Sequence, residues 1–304
     1  MSKPCWLGYQ DPGYADSLSA FGTPRRLARS GGWILERPIP GSYFRDAMGL
    51  YPMLSCSDWS SLPGDLEALR KENLVSLVCV SDPFLEAPGC KQFHGFDLVK
   101  PFKTHYAAHL DRSIEQIISQ HHAYYVRKAA RYLEVEVVEE PLVYLDEWHE
   151  LYSALITRHG IKDLRRFSKE SFRKQLSIPG LRLFRAMHAG TIAGAQLLLQ
   201  KDDIVHAHLA AFTSEGYARG ASYLLDWQAL DHYRGKARVL NWGGGASSSP
   251  DDGLARYKRG WSTDQHTSYL LGAVFDTEVY AALSGSGFTK FTGYFPDYRR
   301  GEFG

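Results

Sequence analysis

Residues 181–187, 191–200 and 204–211 are three apolar runs, cut only by His188-Ala189-Gly190 and Lys201-Asp202-Asp203. Connections this short make each strand fold back beside the one before it, so the runs predict an antiparallel meander. The flanking segments must then cover that sheet. Before it, one helix opens at Asp146, stacks Trp148, Leu151, Tyr152 and Leu155 on one side and stops at Gly160. A shorter one starts from the cap Ser168 and pairs Phe172 with Leu176. After it, residues 212–219 read as a loop and 220–233 as a helix ended by Gly235.

Residues 237–242 read as a strand that Gly243, Gly244 and Gly245 bring to an end. A Ser/Asp/Pro loop follows, then a short basic helix opening at Asp252 or Gly253 and carrying Lys258. Three glycines in succession suit a backbone at φ > 0 or one pressed against something large; they also suit a merely flexible loop. A helix start beyond such a loop offers N–H groups and a positive dipole end to an anion. Lys258 lies about one and a half turns in, where its ammonium can face the same place or only solvent. No Gly-Lys-Ser/Thr follows the glycines, and neither Gly-x-Gly-x-x-Gly nor Gly-x-Ser-x-Gly occurs in a suitable context, so P-loop, dinucleotide and serine-hydrolase readings fall away. His206 and His208 alternate along one strand and share a face. The residues alone leave open a general base near neutral pH and a pair of satisfied histidines.

The first half is less periodic. Residues 33–36 and 43–44 read as short strands, 65–72 as a helix and 74–80 as a buried strand ended by Asp82-Pro83. Ser113 and Gln116 form a capping-box pair, opening a helix with Ile114, Ile117, Ile118, His121 and Tyr125 on one side. Its other side carries Arg127, Lys128 and Arg131, which suit a phosphate-bearing substrate or a solvated face. Residues 134–138 alternate as a strand. The expected boundary lies just beyond, giving lobes 1–140 and 141–304, of roughly 150 residues each.

Lys+Arg 35 against Asp+Glu 34 leaves a charge of +1, which argues against a dedicated DNA binder. The cysteines (Cys5, Cys56, Cys79, Cys90) contain no Cys-x-x-Cys pair and suit a reducing cytoplasm. No stretch approaches 18 apolar residues, so no integral membrane segment is expected. His121-His122 diverge on a helix, and His105 and His109 bring no evident third ligand, so no metal site is expected.

The order of the second half (helix, helix, three strands, helix, strand, helix, strand, helix) is similar to that of the GNAT acyltransferases. HAGTIAGAQLLL (188–199) resembles that family's second-to-third strand hairpin, and HLAAFTSEGYARGASYLLDWQAL (208–230) its strand, loop and acceptor helix. NWGGG followed by DDGLARYKRGW resembles the glycine turn and Gly-Leu-x-x-Phe-Lys segment of the Fem-type and cellulose-biosynthesis-type branch, with Tyr257 in place of the usual Phe. AYYVRKAARYLEVEV (123–137) and FPDYR (295–299) also resemble passages of that branch. The likeness spans about residues 105–300 and rests on the order and spacing of these motifs together.

The resemblance implies an α/β (α+β) fold of two tandem GNAT-like lobes, each a mixed, mostly antiparallel sheet flanked by helices. It places a site at the second lobe's central sheet and the cleft between the lobes. Backbone N–H groups near Leu209, Ala210 and Ala211 would meet the acyl carbonyl, and Arg219, Gly220 and Ala221 at a helix start would meet the pyrophosphate if the donor is coenzyme A. That turn keeps less glycine than usual, which shifts weight toward an aminoacyl-tRNA-like donor or a degenerate site. Lys258 matches the lysine Fem-type members place near the transferring acyl group; His206 or His208 would serve as base, and Trp242, Gly243, Gly244, Gly245 and Arg127 would line the substrate side. The implied activity is N-acyl transfer from acyl-CoA or aminoacyl-tRNA to an amine of a cell-envelope or polysaccharide-related acceptor, by a cytoplasmic protein with no tightly bound cofactor. The other expectation is a catalytically idle GNAT-like module that recognises a nucleotide-sugar or protein partner.

Overall fold

The computed structural model describes residues 7–85, 93–162, 164–246, 252–285 and 293–302; Cys5, Cys90 and the loop at 247–251 lie outside them. In chain order the first elements are α1 (Pro12–Ser17), β1 (Thr23–Arg26), β2 (Trp33–Pro38), β3 (Arg45–Gly49), α2 (Leu62–Leu69), β4 (Leu74–Val80) and β5 (Leu98–His109). Next come α3 (Ile114–Ile117), α4 (Gln120–Ala129), β6 (Glu134–Val138), α5 (Leu145–His159), α6 (Lys169–Gln175), β7 (Leu181–His188), β8 (Thr191–Lys201) and β9 (Ile204–Phe212). The last are α7 (Ser214–Arg219), α8 (Ala221–Tyr233), β10 (Val239–Gly244), α9 (Gly253–Arg259), β11 (Asp264–Val274) and α10 (Thr277–Ser284). Two compact units result, one built mainly from Lys103–Ile161 and Arg166–His266, the other from Tyr9–Phe102 and Thr267–Gly304. Residues 103–140, grouped with the first lobe in the sequence reading, fall in the unit of the meander. Both units are mixed, mostly antiparallel sheets flanked by helices.

In the meander's unit the strands run β5-β10-β9-β8-β7-β6. All neighbours are antiparallel except β9 and β10. The β7–β8 turn puts Ala189 and Gly190 at φ 48° and 77°, the positive pair that a two-residue hairpin requires. Helix α8 is buried on most sides, through Leu224, Leu225, Ala229, Leu230 and Tyr233, because it lies between the sheet and α4. On the sheet it meets Phe184, Leu198, Val205 and Leu240. Trp148 and Tyr152 of α5 pack with Phe172 of α6, at ring distances of 5.7 and 5.0 Å. Gly160 ends α5 in the left-handed conformation, and Ser168 caps α6, as their sequence signals indicate.

Four segments differ from the sequence reading. The helix opened by the Ser113–Gln116 box stops after Ile117, because Ser119 caps a new helix and its N–H bonds Gly260 O. Residues 214–219 form α7, capped by Thr213, rather than a loop. Gly243 and Gly244 stay in β10 instead of ending it. Strand β5 was not foreseen: Pro101 and its lysines give it an exposed first half, and apolar burial begins only at its end.

The other unit orders its strands β1-β2-β3-β4-β11, antiparallel except for β3 and β4. Leu62, Leu66 and Leu69 of α2 pack with Ile34, Leu77 and Leu271, while Tyr280 of α10 packs with Val75 and Val274. Its polar centre is Asp46, fully buried on β3. Arg299 donates to it from Nε and Nη2 at 2.6 and 2.9 Å, and Arg37 from Nε at 3.3 Å. Tyr298 Oη donates at 3.2 Å, which gives the FPDYR stretch a structural task. No helix among the described residues is long and apolar enough to cross a membrane. Asp46→Ala would remove the buried carboxylate shared by two buried guanidinium groups, leaving them only the partly exposed Glu302, and is expected to cost about 3 kcal/mol, read as a loss of unfolding free energy in denaturant titration.

Candidate active site

The site begins where two parallel strands separate. β10 pairs with β9 only through Val239, Leu240 and Asn241, opposite Ile204, Val205 and His206. Beyond that rung β9 continues to Phe212, and no strand among the described residues pairs with its β10 side; Leu209, Ala210 and Ala211 all lie on this stretch. β10 meanwhile remains paired with β5, but through a bulge: Asn241 faces Ala107 and Gly243 faces Tyr106, with Trp242 the extra residue. Trp242 turns into the core, where its Nε1 donates to Trp261 O at 2.8 Å. Gly243 adopts φ 77°, and its N–H donates to Asn241 Oδ1 at 2.9 Å. The other two glycines meet close neighbours. A Cβ at Gly245 would lie 2.6 Å from Asp252 Oδ2, and one at Gly244 3.1 Å from Lys103 Cδ.

Lys258, half-buried on α9, reaches back to this turn, and its Nζ donates to Gly244 O at 2.7 Å. Burial pulls its pKa down to about 8, aided by Lys103 and opposed by the carboxylates of Asp226 and Asp252. Asp226 is buried on α8 and accepts from Tyr257 Oη at 2.6 Å. Burial pushes its carboxyl up to about 7, against hydrogen bonds from Tyr257 and Gln196 and the charge of Lys258. Gln196 Oε1 is buried beside it without a hydrogen-bond partner among the described residues. Burial thus draws an acid and a base, each feeling the other's charge, toward neutrality from opposite directions.

His122 of α4 fixes α9 from behind. Its Nε2 donates to Tyr257 O at 2.9 Å and its Nδ1 lies 2.6 Å from Ser119 Oγ. The ring presses so closely on Gly260 that a Cβ there would come within 2.0 Å of it. Tyr223 and Trp261 complete the aromatic packing around Tyr257.

The structure gathers Lys258, Gly243, Gly244 and Gly245 at the open end of β10. His206 stands at the last shared rung, 3.1 Å from Asn241 Nδ2, while His208 Nε2 donates to Gln175 Oε1 at 3.3 Å. Burial lowers both histidines to about 3, so they are neutral at pH 7 and weak proton acceptors. His105, lowered to about 3 by burial, lies 3.3 Å from Asn241. The start of α9 is filled by its own chain, since Asp252 caps Ala255 N–H; the anion expected there would compete with a carboxylate. Arg219 pairs with Glu215 and lies over the Tyr132 ring, Gly220 carries φ 75°, and Ala221 is buried where α8 begins. Arg127 is exposed on α4.

Asp226 is the functional candidate that sequence reasoning passed over. An acid among Leu224, Leu225, Ala229 and Leu230, at a core-facing position of an apolar helix, was the available signal. Asp226→Asn removes the carboxylate that most favours the protonated form of Lys258. The Lys258 pKa is expected to fall below about 8, as followed by NMR titration of its side-chain nitrogen.

Residues 120–259 match the Acetyltransferase (GNAT) domain family. Comparison with curated proteins returns no match. Among solved structures, FemX is similar at 13% identity and TM-score 0.65, over 92% of this chain and 95% of that one. So is the C-terminal (DUF2156) domain of an Agrobacterium fabrum protein described as a lysylphosphatidylglycerol synthetase, at 16% identity and TM-score 0.64, over 90% of each chain. L-PGS from Bacillus licheniformis follows at 13% identity and TM-score 0.59, over 89% and 94%. At such identities these three show a shared fold. Residues 120–259, which include the fork and Lys258, thus match a GNAT acetyltransferase domain, and the chain shares the fold of FemX and of the lysylphosphatidylglycerol synthetase domain.

Proposed function

We propose that this protein transfers an aminoacyl group from an activated ester to an amine of a cell-envelope or polysaccharide-related acceptor, with the reacting carbonyl in the fork between β9 and β10. The observation that carries this reading is the half-buried Lys258 ammonium, held at Gly244 O where the two strands have parted. A neutral amine attacks the carbonyl carbon, the C–N bond forms and the ester C–O bond breaks; the proton lost by the amine ends on the leaving oxygen. The tetrahedral oxyanion meets Lys258 and the unpaired side of β9, where poor hydration strengthens the attraction. Asp226 is the counter-charge that keeps Lys258 protonated.

Three features support an aminoacyl-tRNA donor over coenzyme A. The turn before α8 is replaced by helix α7, and the Gly220 N–H already bonds Gly216 O and Tyr217 O, so it does not offer a phosphate cradle. Exposed Arg127, Lys128 and Arg131 lie with exposed Tyr124 and Tyr132 on and just after α4, a mixture suited to an RNA backbone and unstacked bases. One structural relative, by its name, joins a lysyl group to phosphatidylglycerol. We place the reaction in the cytoplasm, where such a donor is made.

The test incubates the protein with tRNA charged with labelled amino acids, or with labelled acetyl-CoA, and a panel of amines. Lys258→Ala is expected to lower transfer from charged tRNA by about 10²–10³-fold, the loss usual for one oxyanion donor. Unchanged transfer would remove Lys258 from the reaction, and transfer from acetyl-CoA alone would replace the donor. The wild-type rate is expected to rise as the Asp226–Lys258 pair loses its first proton near pH 7 and to fall as it loses the second near pH 8, both limbs belonging to the coupled pair. A rate still climbing well above pH 8 would contradict the need for a protonated lysine.

A further inference from the structure

We propose that His109, Asp264 and His266 bind one divalent first-row transition-metal ion, with zinc the best-fitting occupant. The last residue of β5 and the first turn-out of β11 bring these side chains together, although they are separated by more than half the sequence. His109 Nε2 lies 3.5 Å from Asp264 Oδ2, and His266 Nε2 lies 3.4 Å from the same oxygen. The three ligand atoms all fall within 4.8 Å of one another. Ligands bound tetrahedrally at about 2.0–2.1 Å from zinc are separated by about 3.3–3.4 Å, so two edges of the triangle already have nearly the required length. The third closes with a small rotation of either imidazole.

The chemistry selects the ion. Two imidazoles and one carboxylate suit zinc and its neighbours and disfavour magnesium and calcium, which take oxygen ligands. Asp264 Oδ1 accepts from the Gln265 N–H at 2.7 Å, which orients the carboxylate with Oδ2 toward the two imidazoles. The groups are partly open to solvent, which leaves a path for the ion and a fourth position for water. Asp264 and His266 sit two residues apart on one strand and so share a side, while His109 comes from the neighbouring strand. An ion there would tie the end of β5 to the start of β11. His105, four residues back along β5 and about 13 Å away, belongs instead to Asn241 in the acyl-transfer site.

The experiment titrates the full chain with Zn²⁺ against a chromogenic chelator, beside a Mg²⁺ control, for wild type, His109→Ala, Asp264→Asn and the His109→Ala/His266→Ala pair. The wild type is expected to take up one Zn²⁺ per chain and to gain melting temperature with Zn²⁺ but not with Mg²⁺. Each single variant should bind at least tenfold more weakly, and the pair should lose the thermal response. Metal-free melting curves that match the wild type establish that the variants are folded. X-ray absorption of the loaded wild type should show nitrogen and oxygen ligands with imidazole scattering. A wild type that takes up no Zn²⁺ would mean that Asp264 merely accepts from two histidines. Undiminished binding by the pair, or a sulfur-containing shell, would equally overturn the site.

Discussion

At Asn241 and His206 two parallel strands share their last rung, and the proposed chemistry depends on their separation. The cause is covalent and local. Trp242 is an extra residue in β10, drawn into the core by the carbonyl of Trp261, and Gly243 takes the positive φ that lets the strand continue after it. Because β10 keeps its pairing with β5, the bulge carries it away from β9. The exposed side of β9 is then a row of backbone groups that water or a substrate must satisfy. A side chain at Gly243 would face both the backbone strain and a Cβ placed 3.4 Å from Lys258 Nζ.

The second dependence is electrostatic. A lysine on a seven-residue surface helix would ordinarily hold its proton far above neutrality. Here it is folded back onto Gly244 O, away from much of its water, and its proton affinity drops toward neutral pH. The same burial raises Asp226 from the other direction. Tyr257 joins the two elements: its hydroxyl donates to Asp226, its carbonyl is held by His122, and the next residue is Lys258. The position of the ammonium is thereby set by α4, α8 and α9 together, and a fixed cation needs little reorganisation when negative charge develops beside it.

What was legible in the sequence was local. Strand β4, the meander, the caps Ser168 and Asp252, and the stop at Gly160 are each specified by residues within a few positions of one another. The family resemblance carried by NWGGG and RYKRGW located Lys258 and the glycine turn. The misses arise from partners distant in sequence. Ser119 divides α3 from α4 because Gly260, on a segment far downstream, accepts its N–H. Gly216 sits inside α7 because the carbonyl of Ala193 occupies the space of a Cβ, at 1.8 Å. Asp226 gains its altered acidity from burial beneath Tyr257, and His109 meets Asp264 and His266 only once β5 and β11 lie side by side. Periodicity reports which face of an element is apolar; it does not report which polar groups will meet across faces.

The most direct measurement is a structure of the protein with an aminoacylated RNA minihelix whose ester is replaced by a stable amide. The account predicts the aminoacyl carbonyl in the fork between β9 and β10, its oxygen about 3 Å from Lys258 Nζ and facing the unpaired side of Leu209 to Ala211. An aminoacyl group bound elsewhere, with Lys258 still closed on Gly244 O, would contradict it.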